Sequence, residues 1–251
     1  MATQPGSVAA VIQARMGSTR LPGKVLRPLH GRPVLDWVIR AARQAEGVEH
    51  VIVATTTEAD DDVVAAHAAS AGVSVVRGSV DDVLSRFLLA ADVPDADGRV
   101  PDGIVRLTAD CPLLDPALIA TVAAAWRASG VDYASTITPR CLPRGLDVEL
   151  ISRRSLFEID QVAQGVDRTH VTSFVYRNPS RFSILGVTVH PAADDLRVTL
   201  DTVEDARLLD ALTERLGDRP PAWTDVVAVL RGDAGMRSLN ANVRQKALAE
   251  G

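Results

Sequence analysis

Four short apolar runs alternate with amphipathic segments through the first half of the chain, and this alternation limits the possible folds more than any other feature. The runs cover residues 8–13, 50–55, 73–76 and 103–107. Nearly continuous apolar runs of this length read as strands buried on both faces. Between them lie segments of about 12 residues with apolar side chains at helical spacing. Residues 33–45 put Leu35, Val38, Ile39 and Ala42 on one face, behind a proline suited to a first helical turn. Residues 60–71 open with acidic side chains, which favour a helix N-terminus. Residues 80–91 and 116–129 complete the set. Repeated strand–helix–strand units predict an α/β fold, a mainly parallel sheet flanked by helices on both faces. The 251 residues fit one large domain.

The regular alternation weakens after Tyr133. Residues 138–199 mix a Pro/Arg-rich loop, strands near 146–150 and 182–189, and helices near 153–164 and 170–177. This reads as an inserted α+β lid, with acceptor-binding and dimerisation roles expected of it. Closing helices are expected at 202–216 and 223–230, and a loosely ordered tail after Gly232. Leu156, Phe157, Phe174, Val175 and Tyr176 are more apolar residues than a small lobe facing solvent should expose, so a homodimer is expected.

In an open parallel sheet, ligands bind beyond the carboxyl ends of the strands. The first such loop is rich in glycine and in cations. Gln13 and Ala14 lead into Arg15, Met16, Gly17, Ser18 and Arg20, and then into Pro22, Gly23 and Lys24. Glycines let a backbone approach a ligand, and successive N–H groups in such a turn form an anion-binding concavity. Arginine grips phosphate oxygens as a fork and lysine acts as a point charge. The stretch is not a P-loop, because its glycines are six residues apart and Val25 stands where Ser or Thr would hold magnesium. It reads as a nucleoside triphosphate site.

Composition narrows the partners. The formal net charge is −5 and there is no basic tail, which argues against general nucleic-acid binding. Two cysteines, Cys111 and Cys141, fit a reduced cytoplasmic protein better than a disulfide scaffold. No apolar run reaches the ~18 residues of a membrane span, and the first five residues lack signal-peptide character.

Other polar groups follow the later strands. Asp110, after the 103–107 run and two residues before Pro112, reads equally as a turn carboxylate or a magnesium ligand beside phosphate. Asp201 opens Asp201-Thr202-Val203-Glu204-Asp205, which has the form of a helix cap with an acidic first turn. Asp147 and Glu149 share one face if extended. Two carboxylates there need solvent, a metal or a cation, and Arg106 is a candidate for acceptor, ribose or salt-bridge contact. Arg140 and Arg144, with Arg153 and Arg154, make the start of the lid cationic, which favours an anionic acceptor.

The stretch Gln13-Ala14-Arg15-Met16-Gly17-Ser18-Thr19-Arg20-Leu21-Pro22-Gly23-Lys24 resembles the cytidylyltransferase-like family of spore coat polysaccharide biosynthesis protein F. That family is related to the CMP-sugar synthetases for sialic acid and KDO. The resemblance runs from Val11 to about Leu212. It implies a Rossmann-like fold of the nucleotide-diphospho-sugar transferase type, CTP as donor, Mg²⁺ as cofactor, and a CMP-activated sugar or sugar-like acid as product. It implies metal ligation by Asp110 and Asp201, and phosphate contacts by Arg15, Arg20 and Lys24, with Arg15, Lys24 and Asp110 at the chemistry. Arg77-Gly78-Ser79 with Asp82 and Arg86 matches a family element bordering the nucleotide, as expected also of Thr55, Thr56, Thr108 and Ala109. Asp147, Glu149 and Arg106 are assigned to the acceptor. Arg168, His170, Val171 and Thr172 fit the family's R-E-H-V-T, with Thr169 where Glu is usual, so His170 joins the acceptor set. The competing readings are a glycosyltransferase using a nucleotide-sugar and a non-catalytic nucleotide-binding protein.

Overall fold

Strand β1 (Val8–Gln13) is buried almost throughout because it lies in the middle of the sheet. The computed structural model describes residues 6–245. β1 pairs in parallel with β4 (His50–Thr56) on one side and β6 (Gly103–Thr108) on the other, with Ile12 opposite Val53 and Leu107. β5 (Ser74–Gly78) extends the sheet in parallel beyond β4. On the far side β8 (Glu149–Ser152) runs antiparallel to β6, then β7 (Tyr133–Ser135) antiparallel to β8, and β9 (Ile184–Gly186) parallel to β7. The order is β5-β4-β1-β6-β8-β7-β9. A separate two-strand hairpin, β2 (Pro28–Leu29) with β3 (Arg32–Pro33), follows the glycine-rich loop.

Side-chain alternation along these strands feeds two cores. On one face Val8, Ala10 and Ile12, with Val53, Val105 and Leu107, pack under α1 (Val34–Gln44), α4 (Pro116–Ser129) and α8 (Val203–Leu216). On the other face Ala9 and Val11, with Ile52, Ala54 and Ile104, meet α3 (Val83–Ala91) and α5 (Arg153–Asp160). The expected apolar face of α1 is buried at all four positions. α2 (Asp62–Ser70) covers β4 and β5. Local chemistry starts and stops these helices. Asp115 caps α4 by accepting from the Ala117 amide at 2.7 Å, Pro116 takes the first turn, and left-handed Gly130 ends it.

Residues 138–199 do not stand apart from this architecture. β8 and β9 lie in the main sheet, and Leu156, Ile159, Val171 and Val175 complete its second core. The apolar side chains that led to the expectation of a dimer are therefore largely used within the chain. Leu156 and Val175 are fully buried, and Phe157, Phe174 and Tyr176 half-buried. The strand expected at 146–150 starts only at Glu149. Gly145 (φ +104) turns the chain against the backbone of Val198 and Thr199, where an added Cβ would lie 2.6 Å from the Thr199 nitrogen. The helix expected at 170–177 is two, α6 (Val166–His170) and α7 (Ser173–Arg177), broken at Val171. The strand expected at 182–189 keeps only three residues, at the sheet edge. α9 (Trp223–Gly232) forms as expected. Beyond it, Asp233 caps a short α10 (Ala234–Ser238) through the Met236 amide, so the tail carries a helix where none was expected. The first five residues, read above for leader character, lie outside the described part.

Candidate active site

The glycine-rich loop is shaped by its own backbone and by one distant carboxylate. The Met16 carbonyl accepts from the Ser18 and Gly23 amides at 2.9 and 3.0 Å. Gly23 (φ 71) then starts a short 3-10 turn, Lys24–Leu26, which directs Lys24 inward. A side chain at that φ is disfavoured, so the glycine is required here. Asp61, only 3% exposed, accepts from the Met16 amide at 2.6 Å and from the Thr56 hydroxyl. Nothing in the sequence analysis singled out Asp61. Its acidic run read as a helix start, and only the fold turns one of those carboxylates back to the loop.

Lys24 is the centre of the site. Its Nζ donates to Asp110 Oδ2 at 2.6 Å and to Asp201 Oδ1 at 2.7 Å, the latter 177 residues away in sequence. The backbone brings these carboxylates together. The Leu200 amide donates to the Asp110 carbonyl at 2.8 Å, and Arg144 bridges Leu196 and Val198 through its own amide and carbonyl. Asp201 Oδ2 is held by Arg20 at 3.0 Å and by Arg197 at 2.6 Å. Arg197 also pairs with Asp205, which is fully buried and receives the Asp201 and Thr202 amides. Thr202, not Asp201, is the N-cap of α8, in a capping box with Asp205. Burial pushes the Asp201 carboxyl up, but Lys24, Arg197 and Arg20 outweigh it and hold it at about 2. Burial pulls the Lys24 ammonium down, and Asp110 and Asp201 more than reverse that. Both groups are ionised near neutral pH.

Around this triad lies a cavity of 290 Å³. Gln13, Arg15, Gly17, Ser18, Arg20 and Lys24 line one side, with Thr108, Ala109, Asp110, His170 and Asp201 opposite. Arg15 is exposed and makes no ion pair among the described residues. Ala14 and Met16 pack against the core below the loop.

The remaining expected nucleotide contacts are not brought to this cavity. Thr55 and Thr56 are fully buried. Arg77 bonds the Thr56 and Glu58 carbonyls and pairs with Asp62. Ser79 accepts from the Asp81 and Asp82 amides, while Asp82 caps α3 and pairs with Arg168 at 2.7 Å. Gly78 gives room to the Arg86 stem, which a Cβ would meet at 2.9 Å. Arg86 itself is fully buried with all three guanidinium nitrogens unpartnered among the described residues. Burial and the nearby Arg15 charge pull it down to about 10. This element follows β5, which lies at the sheet edge beyond β4.

A second cavity of 230 Å³ shares Thr108, Asp110 and His170 with the first. Arg106, Asp147 and Glu149 line it together with Arg140, Arg144 and Tyr176. Asp147 is held by both terminal nitrogens of Arg140, at 2.5 and 2.9 Å. Glu149 accepts from Arg106 and the Tyr133 hydroxyl at 2.6 Å each, and from Thr172 at 2.5 Å. Its buried position makes it the anchor of an ion-pair network. Arg144 makes no side-chain pair among the described residues, and burial and then the Arg140 charge pull its guanidinium down. His170 stands where the cavities meet. The next residue, Val171, has φ 57 and ψ −67 and is fully buried, and the Thr172 amide bonds the His170 carbonyl at 2.6 Å. A β-branched residue in this tight three-residue turn is strained, and its burial in the second core holds it there.

A loop of cations faces two carboxylates at the carboxyl end of a parallel sheet, the place where open α/β sheets bind ligands. Comparisons agree. A family model described as Cytidylyltransferase matches residues 9–214, and the chain belongs to the cytidylyltransferase family. The spore coat polysaccharide biosynthesis protein SpsF of Bacillus subtilis is 34% identical over 84% of this chain and 88% of that protein. A 3-deoxy-manno-octulosonate cytidylyltransferase of Anaeromyxobacter is 36% identical over 61% of this chain and 57% of that protein. A solved cytidylyltransferase structure from Leptospira borgpetersenii superimposes with a TM-score of 0.86 at 28% identity, covering 96% of this chain and all of that one. Among the described residues no helix is long and apolar enough to cross a membrane.

Proposed function

We propose that this enzyme transfers the cytidylyl group of CTP to an oxygen of a small sugar-like acceptor. The observation that carries the reading is the convergence of Lys24, Asp110 and Asp201 below a loop bearing Arg15 and Arg20. The acceptor oxygen attacks the α-phosphorus, the bond to the bridging oxygen breaks, and pyrophosphate leaves with that electron pair. The acceptor proton passes to solvent. Arg15, Arg20 and Lys24 orient the phosphates and offset the charge that builds at phosphorus. Gln13, Thr108 and Ala109 border the nucleoside. The adjoining cavity takes the acceptor, with Arg106, Asp147, Glu149 and His170 on its walls. Its shared wall at Asp110 and His170 keeps acceptor and phosphate next to each other.

The donor set fits a hard divalent cation such as Mg²⁺. Two carboxylate oxygens lie on either side of one nitrogen, and among the described residues no group of three or more His, Cys, Asp or Glu forms a protein-only cage. One or two carboxylates plus substrate phosphates is the set magnesium uses. When bound, the cation supplies positive charge to the phosphate oxygens. Both cysteines are free, in keeping with a cytoplasmic setting. A homodimer remains part of the proposal and light scattering tests it. The decisive assay is pyrophosphate release from CTP across a panel of acceptors. Lys24→Ala in a folded protein should lower turnover by at least ~100-fold. Sugar transfer from a finished nucleotide-sugar without pyrophosphate would overturn the reading in favour of a glycosyltransferase.

A further inference from the structure

Lys24 is seated as a metal ion would be. Its ammonium lies between two carboxylates from different segments, 2.6 and 2.7 Å from one oxygen of each, and its side chain is 11% exposed. Facing carboxylates repel unless a cation stands between them, and a buried ammonium needs counter-charge. One contact meets both needs. The second oxygen of Asp201 is already committed to Arg20 and Arg197. The oxygen left for any other cation is Oδ1, the one Lys24 holds.

We propose that Lys24 is a resident stand-in for the divalent cation, and that it must vacate the niche between Asp110 and Asp201 before the cation can enter. This rests on the cation role given to those two carboxylates above. An ammonium and a divalent cation both on Asp201 Oδ1 would repel at contact distance. The displaced ammonium needs another anion, and the nearest is the polyphosphate of the incoming nucleotide. Its flexible four-carbon stem makes such an exchange feasible, which a planar guanidinium would not. Cation and nucleotide therefore bind with positive coupling, and the nucleotide-free protein is guarded against taking up divalent cations alone.

The test is Mn²⁺ binding to nucleotide-free protein, followed by electron paramagnetic resonance. Lys24→Met should bind Mn²⁺ at least ~10-fold more tightly than wild type, although the same variant loses CTP turnover. Lys24→Arg should stay as weak as wild type. Lys24→Gln, which keeps a donor toward both carboxylates, should shift in the same direction as Met and serves if the methionine variant does not fold. Adding Asp110→Asn to Lys24→Met should remove the gain. Wild type binding Mn²⁺ as tightly as Lys24→Met and Lys24→Gln, in an Asp110-dependent way, would overturn the stand-in role while leaving the cation site intact. If Asp110→Asn and Asp201→Asn leave Mn²⁺ binding unchanged in every background, with or without CTP, the cation site itself is refuted.

Discussion

Replacing Glu149 by glutamine should test whether this carboxylate acts chiefly as an anchor. The side chain is 4% exposed, and its partner Arg106, 15% exposed, sits 2.6 Å away. Tyr133 and Thr172 donate to the other oxygen. Burial pulls the Arg106 guanidinium down, and Glu149 more than compensates. The amide keeps a hydrogen-bonding oxygen but removes the charge, leaving Arg106 buried without a counter-ion. Breaking a buried pair in this way costs about 3–5 kcal/mol, a fall in Tm of roughly 6–20 °C for a chain of this size. Thermal and urea unfolding followed by circular dichroism measure it. Arg106→Met in the same background should recover much of the loss, since the stranded charge is then gone. A Tm within ~2 °C of wild type, or a double variant no better than the single, would refute the argument.

Other substitutions follow from the same geometry. Because Asp201 is held at about 2 against its ordinary 3.8, its stabilisation is fully present above 3.8 and is lost as pH falls through 2. It is worth about 2 kcal/mol, so Asp201→Asn should flatten the acid limb of a Tm–pH curve, and an unchanged limb would contradict the pairing. Gly145→Ala should cost more than about 2 kcal/mol and cut turnover, because its Cβ would press on the Thr199 backbone that positions Asp201. Retained stability and rate would refute that link. Arg86→Met should be neutral or stabilise by up to about 2 kcal/mol, since all three guanidinium nitrogens lack partners among the described residues. A large loss in urea unfolding would mean that Asp61 or Asp82 serves as its counter-ion.

Periodicity alone determined most of the strand and helix framework. β1, β4, β5 and β6, with the helices between them, follow from apolar runs and helical spacing, because each strand or helix face must be buried whatever its neighbours. The glycine-rich loop was legible too, since two glycines and three cations after a buried strand have few other uses. Tertiary structure decided the rest. The meeting of Asp110, Lys24 and Asp201 depends on a Leu200–Asp110 backbone bond and on Gly145 lying against Val198 and Thr199. Such contacts join segments far apart in sequence and leave no period to read. The same holds for Asp61 at the Met16 amide, for Arg197 behind Asp201, and for Arg86, whose motif pointed to the nucleotide but whose side chain leaves α3 fully buried against Gly78 of β5. A motif names a residue and its place on an element. Where the side chain ends is set by packing against neighbours that only the completed fold supplies.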